Sequence, residues 1–127
     1  MPVRTLDAPD APAALGGYAQ AVEISSPGRL LFISGQVPVA PDGTLPEGFD
    51  DQCRQAWANL VAQLRAAGMA IENLVKVTIF LADRANTLDN RRIRQEVLGG
   101  HRVAMTVILP AIFDESWLIE IEAIAAA

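Results

Sequence analysis

Cysteine and histidine are almost missing from this chain: Cys53 and His101 stand alone among 127 residues. A single cysteine closes no intrachain disulfide. A His/Cys-rich metal site is excluded by supply, and no EF-hand spacing offers a carboxylate alternative. No metal or other cofactor is expected. A serine or cysteine nucleophile relying on histidine would have to use His101, and no Gly-x-Ser-x-Gly elbow is present. Positive charge is also short. There are 10 Lys and Arg against 15 Asp and Glu, a formal net charge of −5. That balance argues against phosphate-backbone binding, so no nucleic acid partner is expected. No apolar run approaches the roughly 20 residues of a membrane span. The segment Met1 to Asp7 lacks an apolar signal-peptide core. The expectation is a cytoplasmic chain with no membrane partner.

What is present is apolar material. Hydrophobic residues make up 51% of the chain, enough for a single domain over 1–127 with its own core. The clearest periodicity runs from Phe49 to Ala67. Phe49, Cys53, Ala56, Trp57, Leu60, Val61 and Leu64 form one helical stripe, with Asp50 and Asp51 at its N-terminal end and Gly68 as its stop. Cys53 lies on that stripe and reads as core. Asp83 to Leu98 is a weaker helix ended by Gly99-Gly100. Strands are expected at Tyr18–Ile24, Arg29–Ser34, Leu74–Leu81, Val103–Leu109 and Trp117–Ile124, with residues 1–16 as an extended lead-in. The first two strands flank a Ser-Ser-Pro-Gly turn and read as a hairpin. The order β-β-α-β-α-β-β suits an α+β fold, with both helices on one face of a mostly antiparallel sheet.

The strands are apolar on both faces. Val75, Val77, Ile79 and Leu81 share one face, while Phe80 is on the other. Leu31 and Ile33 alternate with Leu30 and Phe32, and Val103, Met105, Val107 and Leu109 alternate with Ala104, Thr106 and Ile108. Two helices cover one face only. The simplest cover for the second face is another subunit, which makes an obligate oligomer with an interface site the expectation.

Two features carry charge into this apolar framework. In the last strand Glu120 and Glu122 share a face roughly 7 Å apart, flanked by Leu118 and Ile124. A carboxylate in such a segment needs a partner, a raised pKa or a wet cleft. A glycosidase-type pair is a poor fit, since two residues of one short strand rarely frame a sugar. Arg91, Arg92, Arg94 and Arg102 gather near His101, either as a solvated helix face or as an anion-binding rim.

Five stretches, in order, resemble one family. They are Gly16-Gly17-Tyr18-Ala19-Gln20-Ala21-Val22, Phe32-Ile33-Ser34-Gly35-Gln36, Gln52 to Gly68, Leu74 to Asp83, and Glu120 to Ala125. Together they resemble the reactive-intermediate deaminases, RidA or YjgF-like, also labelled endoribonuclease L-PSP. The resemblance covers nearly the whole chain from about Ala13. It implies a chorismate-mutase-like fold and a homotrimer with a central barrel. It also implies small-molecule clefts between subunits, and hydrolysis of 2-imino and enamine acids without a cofactor.

Residue by residue, the resemblance assigns Tyr18, Ser34, Gly35 and Asn90 to the cleft and makes Glu120 the catalytic water-handling group. The aromatic usual three residues after Asn90 is Ile93 here. The carboxylate-binding arginine of the family's Pro-Ala-Arg stretch is replaced, because Val103-Ala104-Met105-Thr106 occupies it. Methionine offers neither charge nor donor. Arg102 would face away from Met105 on a strand, but reaches the cleft if Gly99 to Val103 is a loop. The departure suggests a divergent member, with a less anionic ligand or without 2-imino acid deaminase activity. A non-catalytic metabolite-binding module in the same clefts is the alternative. Ribonuclease activity would follow only from the family label.

Overall fold

The apolar stripe after Phe49 decides how the chain is laid out. The computed structural model describes residues 2–127. Its α1 spans Phe49–Ala66, with Cys53, Ala56, Trp57, Leu60 and Leu64 turned inward and essentially inaccessible. Burial pushes the Cys53 thiol up to about 12, so it packs as a small apolar group. Gly68 ends the helix at φ 69, a left-handed conformation that suits glycine.

The remaining elements are β1 (Val3–Leu6), β2 (Ala21–Ile24), β3 (Leu30–Gln36), β4 (Leu74–Leu81), α2 (Thr87–Leu98), β5 (Ala104–Ile108) and β6 (Ile119–Ala126). The main sheet has the order β3-β6-β4-β5. Its pairs are antiparallel except β4 with β5, which run parallel and are joined through α2. Helix α1 lies over β6 and β3 with α2 beside it, giving the expected α+β architecture on a mostly antiparallel sheet.

Three expectations change. The hairpin between the first two predicted strands does not form. The β2 strand pairs with β1 in a separate two-stranded sheet, so the supposed lead-in contains a strand. Meanwhile β3 pairs with β6, and Arg29 exchanges both backbone hydrogen bonds with Ala127 at 2.8 and 3.0 Å. The reason is burial: Leu31 and Ile33 of β3 pack onto the core, whereas no residue of β2 is fully buried. Second, an irregularity between Leu74 and Lys76 shifts the β4 register. Leu74 therefore joins Val77, Ile79 and Leu81 in the core, and Val75 does not. Third, the second helix begins with a 3-10 turn, Arg84–Asn86, before α2 proper.

The sheet then has two unlike faces. Beneath the helices lie Ile33, Leu74, Val77, Ile79, Leu81, Ile119, Ile121 and Ala123, all buried. The opposite face carries Leu30 and Phe32 of β3, Glu120, Glu122 and Ile124 of β6, Phe80 of β4, and Thr106 and Ile108 of β5. Phe32 is 71% exposed, Leu30 49% and Ile108 42%. This open apolar face agrees with the two-sided pattern read from the strands.

Candidate functional site

Glu120 is set by its strand. Its neighbours Ile119 and Ile121 point into the core, so Glu120 must point to the open face, opposite Phe80. The β3 edge bulges beside it, between Ile33 and Gln36. Ser34 and Gly35 occupy this bulge. A Cβ on Gly35 would lie 1.8 Å from Glu120 Oε2, so the carboxylate rests where any other residue's side chain would begin. Glu120 also lines a cavity of about 220 Å³ with Phe80, Pro110 and Phe113. Gln52 holds the loop on its far side. Its Nε2 donates to the Pro46 and Ser116 carbonyls, both at 3.1 Å, and its Oε1 accepts from Leu118 N–H at 2.8 Å. Glu122 is exposed further along the same face.

Tyr18, Asn90 and Met105 come together elsewhere. Met105 pairs with Val77 and packs against the core, so it faces the helix side. Ala19 N–H donates to the Val103 carbonyl at 2.9 Å, tying the Tyr18 loop to the start of β5. Tyr18, Asn90 and Met105 line a cavity of about 350 Å³ with Thr87, Arg91 and Arg94. Thr87, Asn90, Arg91 and Arg94 follow the i, i+3, i+4, i+7 spacing of one helix face. Asn90 is 1% exposed, and its Oδ1 has no hydrogen-bond partner among the described residues.

The arginines separate sharply. Arg92 is half exposed and bridges Asp50 at 2.7 Å, Asp89 at 3.2 Å and Glu96 at 3.7 Å. It is the solvated helix face. Arg102 does lie in a loop, but it is paired with Asp7 and donates to the Tyr18 carbonyl at 3.1 Å. This hydrogen bond, with a second from Gln20 N–H, holds the Asp7 carboxyl below its usual range. Arg102 thus braces the Tyr18 loop and is absent from the lining of the Tyr18–Met105 cavity. Arg94 is 5% exposed and donates to the Gly16 carbonyl at 3.1 Å. Burial, then the charge of Arg91, pulls its pKa below the ordinary arginine value. The residues expected from sequence therefore separate: Gly35 and Glu120 meet on the open face, Ser34 lies at the β3 edge in another cavity with Gln63, Ala66 and Ala67 of α1, and Tyr18, Asn90 and Met105 lie on the helix side. Arg91 and Arg94 were not singled out from Arg92, although their helical spacing with Asn90 is visible in the chain.

Among the described residues no cluster of His, Cys, Asp and Glu is arranged to hold a metal ion, and no helix is long and apolar enough to cross a membrane.

This fold and this split site define a class of small α+β proteins, and comparison identifies it. Residues 8–127 match the family described as endoribonuclease L-PSP. The chain belongs to that family, the RidA/YjgF-like proteins. It is 37% identical to the 2-iminobutanoate/2-iminopropanoate deaminase of Mus musculus, covering 91% of this chain and 84% of that one. It is 45% identical over 82 residues to a RutC family protein of Aquifex aeolicus, spanning 64% of this chain and 63% of that relative. Among solved structures, a conserved Rid family protein of Yersinia pestis superposes with a TM-score of 0.85 at 29% identity over 100% of both chains. The Escherichia coli TdcF structure with bound serine gives a TM-score of 0.74 at 29% identity over 98% of both.

Proposed function

We propose that this protein is a hydrolytic deaminase of imine, enamine or related C–N small molecules, working in clefts between the subunits of a homotrimer. The observation that carries this reading is the split site. Glu120 with Gly35 and the Tyr18–Asn90–Met105 group lie on opposite faces of one sheet, so one protomer cannot present both to a ligand. A neighbouring copy docked on the open face would bring its own half to complete each cleft. The deaminase activity named for the Mus musculus relative supports the chemistry, and serine in the TdcF structure supports a small ligand.

In this reading Glu120 accepts a proton from a water molecule as its oxygen attacks the imine carbon. The C=N double bond becomes a C–N single bond in a carbinolamine. Glu120 returns that proton to nitrogen, then carries the remaining carbinol hydroxyl proton to the same nitrogen as the C=O double bond forms, the C–N bond breaks, and ammonia leaves with the keto product. Glu120 returns to its ionised form, and the overall change consumes one water. Tyr18 and Asn90 line the ligand's side of the cleft.

The test is ammonia release from freshly generated 2-iminobutanoate and 2-iminopropanoate by purified protein. The expected result is a rate above the free-solution background. Glu120→Ala should return it to background while leaving the oligomeric mass unchanged. No acceleration of either substrate would reject this activity. The second reading, a metabolite-binding module without turnover, is favoured by Met105, which removes the cation expected from β5. Thermal stabilisation by neutral or aromatic metabolites, without ammonia release, would support it instead.

A further inference from the structure

Loss of the β5 arginine does not leave the Tyr18–Met105 cavity without positive charge. Two guanidinium groups reach it from α2. Arg94 is almost wholly buried, yet among the described residues no carboxylate lies within ion-pair distance of it. Its one hydrogen bond is to the Gly16 carbonyl, which uses one of five donors. Arg91 makes no ion pair or side-chain hydrogen bond among the described residues, although Arg92 beside it engages three acids. Both close on the same point. A Cβ on Gly16, which sits at φ 100, would meet Arg91 Nε and Arg94 Nη2 at 3.2 Å each. No acidic residue lines the cavity. The same wall holds the unpartnered Oδ1 of Asn90.

Arg94 is buried and Arg91 is exposed at the rim of the cavity, so the two like charges repel one another, and burial of Arg94 removes part of the water that would screen them. An unpaired buried charge is costly. Natural solutions supply a counter-ion, and among the described residues none stands at this position. Arginine stays protonated throughout the working pH range, so the pair cannot shed its charge. A carboxylate is the fitting guest, since its two oxygens match the planar guanidinium fork. Asn90 adds a group able to orient a neighbouring polar atom.

From this geometry we infer that Arg91 and Arg94 form a carboxylate-binding subsite on α2, in place of the cation missing at Met105. The ligand is therefore anionic, an α-keto or α-imino acid in class, rather than the less anionic compound that Met105 alone implies. Met105 becomes the apolar wall against the ligand's carbon chain. The inference rests on the deaminase reading for the imino-acid class, but the subsite itself does not need turnover.

Binding of the stable product analogue 2-oxobutanoate and of its neutral amide, 2-oxobutanamide, tests the subsite by calorimetry on the intact assembled protein. The wild type should bind the acid about tenfold or more tightly than the amide at low salt, with the preference shrinking as sodium chloride is added. Arg91→Gln should remove most of that preference. Arg91 is exposed, so this variant does not disturb the core. Arg94→Lys, which keeps the charge but loses the fork, should weaken acid binding by about threefold to tenfold. Arg92→Gln should bind like the wild type, and Glu120→Gln should retain the preference for the acid. Equal binding of acid and amide by the wild type, binding of neither, or a preference that survives the paired Arg91→Gln and Arg94→Lys changes would each overturn the subsite. A preserved acid preference without ammonia release would uphold the subsite and reject the deaminase reading.

Discussion

The two faces of the main sheet are built from similar residues but stand in opposite conditions. Under the helices, Val77, Ile79, Ile119 and Ile121 are fully buried. On the open face, Phe32 and Ile108 are apolar too, yet 71% and 42% exposed, and the carboxylates of Glu120 and Glu122 stand among them. The chain thus covers the first face and leaves the second open. The covered face accounts for the stability of the fold. The open face carries the Glu120 carboxylate for which catalysis is proposed.

The largest expected effect comes from breaking the open face. Phe32→Asp places a charge at its most exposed apolar position on β3. If copies of this chain cover that face, the substitution should split the assembly into monomers and abolish turnover, since each cleft needs two subunits. Light scattering after gel filtration reads the mass, and circular dichroism checks that the fold persists. An unchanged mass would show that the open face is not the interface.

Breaking the covered face should act differently. Leu60→Ala removes a fully buried side chain on α1 and is expected to cost roughly 2–5 kcal/mol in urea unfolding. Comparison with the wild type must be made at equal protein concentration, because assembly of the kind proposed would contribute to stability by mass action. The folded fraction of this variant should keep its oligomeric mass, separating core packing from assembly.

Much of this contrast was legible in the chain. Period-two alternation in Arg29–Ser34, Leu74–Leu81 and Val103–Leu109 marks strands apolar on both sides, and the Phe49 stripe marks the covering helix. Two kinds of information were not legible. Pairing depends on which strand wins a place in the core, so the Ser-Ser-Pro-Gly turn suggested a hairpin that β6 pre-empts by taking β3. Charge compensation depends on distant partners. Arg92 and Arg94 are two residues apart, yet only the fold shows Asp50 beside the first and no acid beside the second. Arg102 likewise finds its partner far away in sequence, at Asp7, 95 residues away. The motif-like residues Tyr18, Asn90 and Glu120 were visible from the resemblance, but their separation onto opposite faces required the register of β4 with β5 and β6.

The smallest structural change sharpens the comparison most, because it separates function from folding within the open face itself. Gly35→Ala adds one methyl group at a position where Glu120 Oε2 lies 1.8 Å away and Cδ 2.8 Å. The obstructing atoms are the free end of a flexible side chain, so Glu120 can swing aside while β3 and β6 remain paired. Stability should therefore change by no more than about 1 kcal/mol. The proposed water-handling carboxylate would be displaced by about an ångström or more, and a misplacement of that size costs on the order of a hundredfold in rate. Acid-over-amide binding at Arg91 and Arg94 should persist, because those residues stand on the other face. Wild-type turnover by Gly35→Ala would mean that the position of the Glu120 carboxylate does not govern the rate.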